Sequence, residues 1–147
     1  MLAEEAAVTA VGRVIELAIA PVFLLSAIGS LLIVLTNRLS RIIDRARVLE
    51  VLLVNADETT IGRVVAELAT LTQRGMVIHR AITLSISTAV LICSLVVVLF
   101  LGAFLEVDFS ILIALLFIGA MLSFLGGLLT LMRELFLATS ALRFGKR

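Results

Sequence analysis

The fold is decided by one continuous stretch, residues 14–53, which reads VIELAIAPVFLLSAIGSLLIVLTNRLSRIIDRARVLEVLL. Its first half is apolar over the roughly 20 residues that a helix needs to cross a bilayer, and its second half alternates arginines with acids. The single proline, Pro21, lies well inside the apolar half, so no breaker stands at the junction. The stretch therefore predicts one helix that spans a membrane and continues into water.

Two further apolar runs, residues 81–105 and 110–132, have the same length and lack of charge. The composition agrees, because 62% of the residues are hydrophobic and the mean hydropathy is +1.25, whereas about half of the residues of a soluble domain are apolar. The sequence predicts an all-α integral membrane protein, a single membrane domain over residues 1–147. Its transmembrane helices are expected at residues 14–36, 81–105 and 110–132.

The charged segment between the first two runs, residues 37–80, is predicted to form an antiparallel helical hairpin. Its tip is placed at residues 55–59, which contain turn and N-cap residue types. The first arm would belong to one rod from Thr9 to Val54. A heptad seam typical of a coiled coil runs along this rod: Leu25, Ile28, Leu32, Leu35, Leu39, Ile42, Ala46, Leu49 and Leu53. The second arm carries a stripe made of Ile61, Val64, Val65, Leu68, Leu71, Met76 and Ile78.

Basic residues indicate the orientation. Seven arginines lie in residues 37–80 and four more basic residues follow the third run, whereas the opposite side carries only Arg13. The excess of positive charge on the cytoplasmic side of membrane proteins predicts an external N-terminus, a cytoplasmic hairpin and a cytoplasmic C-terminus. A tight outer turn is expected at residues 106–108. Because the N-terminus is acidic, we expect the first span to be retained rather than cleaved as a signal peptide.

A second seam on the first helix is polar rather than apolar. It has an acid at the outer end and small residues in its middle, and a helix with such a face either packs closely on another helix or lines a watery path. The packing alternative is favoured. Glu16 either pairs with Arg13 at the interface or faces a pore, and Pro21 is a candidate hinge because it frees the carbonyl of Leu17. The seam consists of Glu16, Ala20, Phe23, Ala27, Ser30, Val34, Asn37, Arg41 and Asp44.

The polar chemistry of the chain favours binding over catalysis. Four arginines near the predicted inner surface are candidate contacts for lipid headgroups: Arg38, Arg41, Arg45 and Arg80. The one histidine, His79, has no second histidine to pair with, Cys93 is expected to be a small core residue, and no catalytic motif is present. We expect no enzyme, no cofactor and no metal. Nucleic-acid binding is not expected either, since the net charge is +1 and the chain lacks Trp and Tyr.

Two segments carry a family resemblance, AIAPVFLLS at residues 18–26 and NRLSRIIDRARVLE at residues 37–50. Together with residues 74–82 they resemble the bacterial membrane-protein family known as domain of unknown function 2721. The resemblance implies a three-span protein of the bacterial inner (plasma) membrane with a cytoplasmic helical hairpin. It implies no activity and no site residues.

Two functions from different classes remain open. The first is a homo-oligomeric ion channel lined by the polar seam of the first helix. The alternative is a membrane-anchored scaffold or signalling protein that acts through the cytoplasmic hairpin. The expected partners are the lipid bilayer and further copies of the chain, with ions in the first case and an unknown cytoplasmic protein in the second.

Overall fold

A computed structural model of the chain describes residues 2–54, 57–105 and 107–143. These residues form three α-helices, and each contains a segment long and apolar enough to cross a membrane. The all-α fold with three candidate spans is therefore confirmed. The helices are α1 (Leu2–Leu53), α2 (Glu58–Leu105) and α3 (Ser110–Arg143).

Each helix is longer than its apolar run. Helix α1 passes through Pro21 and from apolar into charged sequence without interruption, as predicted, but it begins at Leu2 rather than Thr9. Alanines and glutamates follow Leu2, and both are strong helix formers. Helix α3 likewise continues beyond the predicted end of its span at Met132 and reaches Arg143.

The start of α2 lies inside the predicted tip. The carbonyl of Asp57 accepts the backbone N–H groups of Thr60 at 2.9 Å and Ile61 at 3.0 Å. The bond from Ile61 is the first regular bond of the helix, and the bond from Thr60 satisfies a donor that the first turn leaves free. Glu58 and Thr59 are therefore helical, whereas Asn55 and Ala56 lie outside the described residues.

The start of α3 is capped by Asp108. Its carboxylate accepts the backbone N–H of Ser110 at 2.9 Å and also the Ser110 hydroxyl. The hydroxyl and then the N–H hold the pKa of Asp108 below its ordinary value of 3.8, because both donors favour the ionised form. This cap lies in the expected outer turn, of which Glu106 is outside the described residues.

The helices contribute to two compact units. The first unit comprises α1 up to Leu31 with Leu84–Leu125. Within it, the Ser123 hydroxyl on α3 donates to the carbonyl of Leu84 on α2 at 2.9 Å, and the same carbonyl accepts the Thr88 hydroxyl at 2.8 Å. Cys93 is exposed, so the expectation of a core cysteine is wrong. The inward face of α2 is occupied by its neighbours instead: Thr88, Ile92 and Leu95.

The second unit comprises Leu32–Thr83 and the part of α3 from Gly126 onwards. Its core is a cluster of Leu49, Val64 and Leu71, against which partly buried residues of α1 and α2 pack. The predicted stripe on α2 is only half inward. Val64, Leu68, Leu71 and Ile78 are buried or half-buried, whereas Ile61, Val65 and Met76 are exposed.

The heptad seam of α1 is the pattern that the structure follows most closely. All nine residues from Leu25 to Leu53 in the seam are buried or half-buried, and Leu35 is fully buried. This seam is therefore the inward face of α1.

Candidate functional site

One buried carboxylate joins all three helices in the second unit. Glu134 on α3 is 1% exposed. It accepts a hydrogen bond from Nη1 of Arg38 on α1 at 2.8 Å and another from Nη2 of Arg74 on α2 at 2.8 Å. The two arginine side chains are 37% and 31% exposed, respectively. Each arginine side chain is therefore partly exposed, whereas the carboxylate is buried.

A carboxylate buried to this degree is stable only when it is paired and hydrogen-bonded. Both oxygens of Glu134 have a charged donor, Oε2 from Arg38 and Oε1 from Arg74. Such charge-assisted bonds are shorter and stronger than neutral ones. The arrangement therefore fixes two arginines of different helices in defined positions.

Local sequence explains why Glu134 points inward. Ala120 and Gly127 precede it at intervals of seven residues, and all three are buried. Residues seven apart lie on nearly the same face of an α-helix. Small residues on this face allow close packing, and the face ends in the acid.

A cavity of about 410 Å³ lies beside the Glu134 pairs. Four arginines line its polar part, three from α1 and one from α2, and its apolar part is lined by Ile42, Leu71 and Ile78. The volume lies within the range of roughly 300 to 1,000 Å³ typical of small-molecule sites. The arginines are Arg38, Arg41, Arg45 and Arg74.

The four guanidinium groups differ in what they contact. Arg45 donates from Nε to Glu67 at 2.9 Å in a pair whose side chains are about half exposed. Arg41 is exposed and has no ion pair among the described residues. Nε of Arg74 is buried and has no hydrogen-bond partner in the described part of the chain. The described residues therefore leave Arg41 without an ion pair and one enclosed donor of Arg74 without an acceptor.

Three of the four predicted headgroup contacts, Arg38, Arg41 and Arg45, line one cavity. Arg80 is exposed and does not line it. Arg74 and Glu134 were not among the predicted residues. The one sequence signal for Glu134 is an acid two residues beyond the end of an apolar run, next to Arg133.

The polar seam of α1 forms no part of this cavity except at Arg41. All nine of its residues are exposed, and Phe23 is 73% exposed. Glu16 forms no ion pair with Arg13, since neither side chain has a charged partner among the described residues. The Ser30 hydroxyl donates to the carbonyl of Ser26 at 3.1 Å. Pro21 is buried within α1, and its role as a hinge stays a prediction.

A second exposed feature lies near the end of α1. Val48, Val51 and Leu52 are 53%, 68% and 51% exposed. Together with Arg47 they border a shallow apolar cavity of about 310 Å³. We call these three apolar residues the α1 end patch.

Other chemistry is sparse in the described part of the chain. His79 is exposed. No group of three or more His, Cys, Asp or Glu side chains stands close enough to hold a metal ion among the described residues.

Comparison with known proteins gives a family and nothing more. No curated protein matches the chain, and no solved structure does. A family model described as "Protein of unknown function (DUF2721)" matches residues 18–144, a range that includes every residue of the Glu134 site. The chain therefore belongs to the DUF2721 family.

Proposed function

We propose that this chain is a non-enzymatic subunit of a homo-oligomeric membrane protein, in which copies of α1 meet through the polar seam and enclose an ion path. The observation that carries the proposal is the contrast between two faces of α1. Its heptad seam is buried or half-buried at all nine positions, whereas its polar seam is exposed at all nine. One chain thus leaves the more polar face of a candidate membrane helix uncovered.

Glu16 makes that exposure costly in lipid. It lies two residues inside the predicted first span, residues 14–36, and no residue of the described chain pairs with it. Ionisable residues within membrane segments almost always face a bundle interior or a water-filled cavity. A second copy or a watery axis would provide such surroundings. The Ser30 hydroxyl is already bonded to its own helix and adds no such requirement.

The first test is the oligomeric mass of the protein in nanodiscs or mild detergent, measured by native mass spectrometry. A closed ring of four or more subunits is expected, because a central path needs an axis that several α1 helices can surround. A monomer or a dimer would contradict the pore.

The second test is ion flux into liposomes that contain the purified protein. Glu16→Gln is expected to alter the cation-over-anion selectivity, since rings of acidic side chains attract cations at a pore mouth. Glu50→Gln is the matched control, because it removes the same charge from an exposed position of α1 outside the seam. No flux from a well-assembled ring, or equal effects of the two variants, would exclude the channel.

A scaffold is the second candidate, and the α1 end patch favours it. Exposed apolar residues at the far end of a charged segment are typical of surfaces that contact another protein. If the hairpin and this patch face the cytoplasm with the C-terminus, as the arginine distribution predicts, a cytoplasmic partner could reach them. Crosslinking from Val51→Cys in intact cells, with Cys93 replaced by Ala, tests this candidate. Adducts that join only copies of this chain would favour the oligomer over a foreign partner.

A further inference from the structure

The cavity beside Glu134 carries more positive charge than its own carboxylates neutralise. Four guanidinium groups and the carboxylate of Glu134 line it, and Glu67, which is not in the lining, pairs with Arg45. Two positive charges remain. A phosphate monoester carries about −1.5 to −2 at pH 7 and would balance both charges, whereas a phosphodiester headgroup would balance one.

The unpaired guanidinium group of Arg41 favours an anion rather than a neutral ligand. Arg41 has no ion pair among the described residues and borders the same cavity. A guanidinium group matches the geometry of phosphate oxygens with two parallel donors.

Glu134 makes the site rigid. It holds Arg38 and Arg74 by bonds of 2.8 Å each, so the two side chains are placed before any ligand arrives. Ordering long side chains opposes binding, and a site in which they are already ordered avoids part of that loss. Because both oxygens of Glu134 are bonded away to these arginines, its negative charge is balanced locally.

The residues of the site also lie close in sequence to the predicted ends of the three membrane spans. Arg38 follows the first predicted span by two residues, and Glu134 follows the third by two. Arg74 precedes the second predicted span by seven residues. Basic pockets between helices at this level of membrane proteins commonly bind phosphate-containing headgroups.

We propose that the cavity lined by Arg38, Arg41, Arg45 and Arg74 is a binding site for a phosphate group. Arg41 would contact the phosphate oxygens, and Glu134 would act as a positioning residue for Arg38 and Arg74. The phosphate could belong to an anionic lipid headgroup or to inorganic phosphate in solution.

The experiment has two arms that separate these sources. In the first, the detergent-solubilised protein is titrated with short-chain phosphatidylglycerol, and bound lipids are counted by native mass spectrometry. In the second, the protein in phosphatidylcholine nanodiscs is titrated with inorganic phosphate by calorimetry at low salt. Saturable binding in the first arm alone identifies a lipid site, and saturable binding in the second identifies a site for soluble phosphate.

Arg41→Gln and Arg80→Gln are the variants to compare in both arms. Each removes one positive charge from an exposed position near the predicted membrane surface, but only Arg41 lines the cavity. We expect Arg41→Gln to weaken binding about tenfold, as the loss of a charge-assisted hydrogen bond would. Arg80→Gln should leave the affinity within about twofold, because a more distant exposed charge is screened.

Equal weakening by both variants would overturn the proposal, since it would mean general attraction to a basic surface. The absence of saturable binding by the unmodified protein in both arms would overturn it as well. Helix content by circular dichroism verifies that each variant is folded, and Arg74→Lys provides a second measurement. It keeps a charge beside Glu134 but removes the planar guanidinium group from the cavity lining, and it should weaken binding in the arm that shows saturation.

Discussion

Replacing Glu134 with Gln should destabilise the protein more than any other single loss of charge at its described acidic residues. The substitution keeps the shape of the side chain and one carbonyl acceptor, but removes the charge that opposes Arg38 and Arg74. Breaking a buried ion pair costs about 3 to 5 kcal/mol. Because the two arginines are 37% and 31% exposed, water recovers part of that loss. We expect a decrease of about 2 to 3 kcal/mol in the free energy of unfolding.

Glu67→Gln is the matched control. It removes the same charge from a pair with Arg45 in which the side chains are 53% and 44% exposed. Exposed pairs contribute about 0 to 1 kcal/mol, so this variant should differ little from the unmodified protein. The chain has no Trp and no Tyr. Unfolding in a titration with sodium dodecyl sulfate is therefore followed by circular dichroism at the helical minimum.

The two variants should separate clearly in that titration. If Glu134→Gln unfolds at the same detergent fraction as Glu67→Gln, the carboxylate does not hold the helices together and the reasoning is refuted. The double variant Glu134→Gln with Arg74→Gln tests the pair directly. Substitutions at two residues that share a buried ion pair show coupling energies of about 0.5 to 3 kcal/mol, whereas the effects of substitutions at independent residues add.

Three further outcomes follow from local packing and capping. Gly75→Ala should stabilise the protein by up to about 1 kcal/mol in the same titration, because the new Cβ would meet only one side-chain carbon, at 3.8 Å. Leu49→Ala should cost about 2 to 5 kcal/mol, since Leu49 is 2% exposed, whereas Val48→Ala at a 53% exposed position should cost far less. Ser110→Ala should raise the pKa of Asp108, measured by carboxyl-carbon NMR, because it removes the main donor to that carboxylate. The lowered pKa of Asp108 stabilises the fold at pH values above the pKa of this group in the unfolded chain. This stabilisation is lost as the pH falls through the pKa of the folded state, so Ser110→Ala should lose less stability on acidification.

The extent of α1 is predictable from the sequence because the residues that become buried recur at the spacing of a helix. Its heptad seam continues through the junction at Thr36 and Asn37, and the helix does the same. Outside that seam the hydrophobic pattern does not separate buried from exposed positions, because lipid and protein interior are both apolar and select the same residues. Phe104 is 88% exposed and Ile92 is fully buried, yet hydrophobicity alone does not distinguish them.

The Glu134 site is not predictable in the same way, because its partners are distant in the chain. Arg38 lies 96 residues from Glu134 and Arg74 lies 60 residues from it. Helical spacing relates residues within about one or two turns, so it places Arg41 and Asp44 on one face of α1 but carries no information across helices. An acid just beyond an apolar run also has an ordinary interpretation at the membrane interface. Only the packing of three helices reveals that this one is buried.

The ion cluster and the proposed phosphate site lead to one more prediction, because they share their arginines. In Glu134→Gln, Arg38 and Arg74 lose their carboxylate and become available to an added anion. A ligand that binds only the folded state stabilises it by about 2.7 kcal/mol at a concentration of 100 times its Kd, which is comparable to the loss expected from the substitution. Phosphate or phosphatidylglycerol should therefore restore much of the stability of Glu134→Gln. Leu49→Ala, which lowers stability to a similar extent through the apolar cluster, serves as the control and should gain no more than the unmodified protein. The measurement is the detergent fraction at half-unfolding with and without the anion. Equal gains in the two variants would show that the anion does not replace the missing carboxylate, whereas a gain specific to Glu134→Gln would mean that an added anion takes its place.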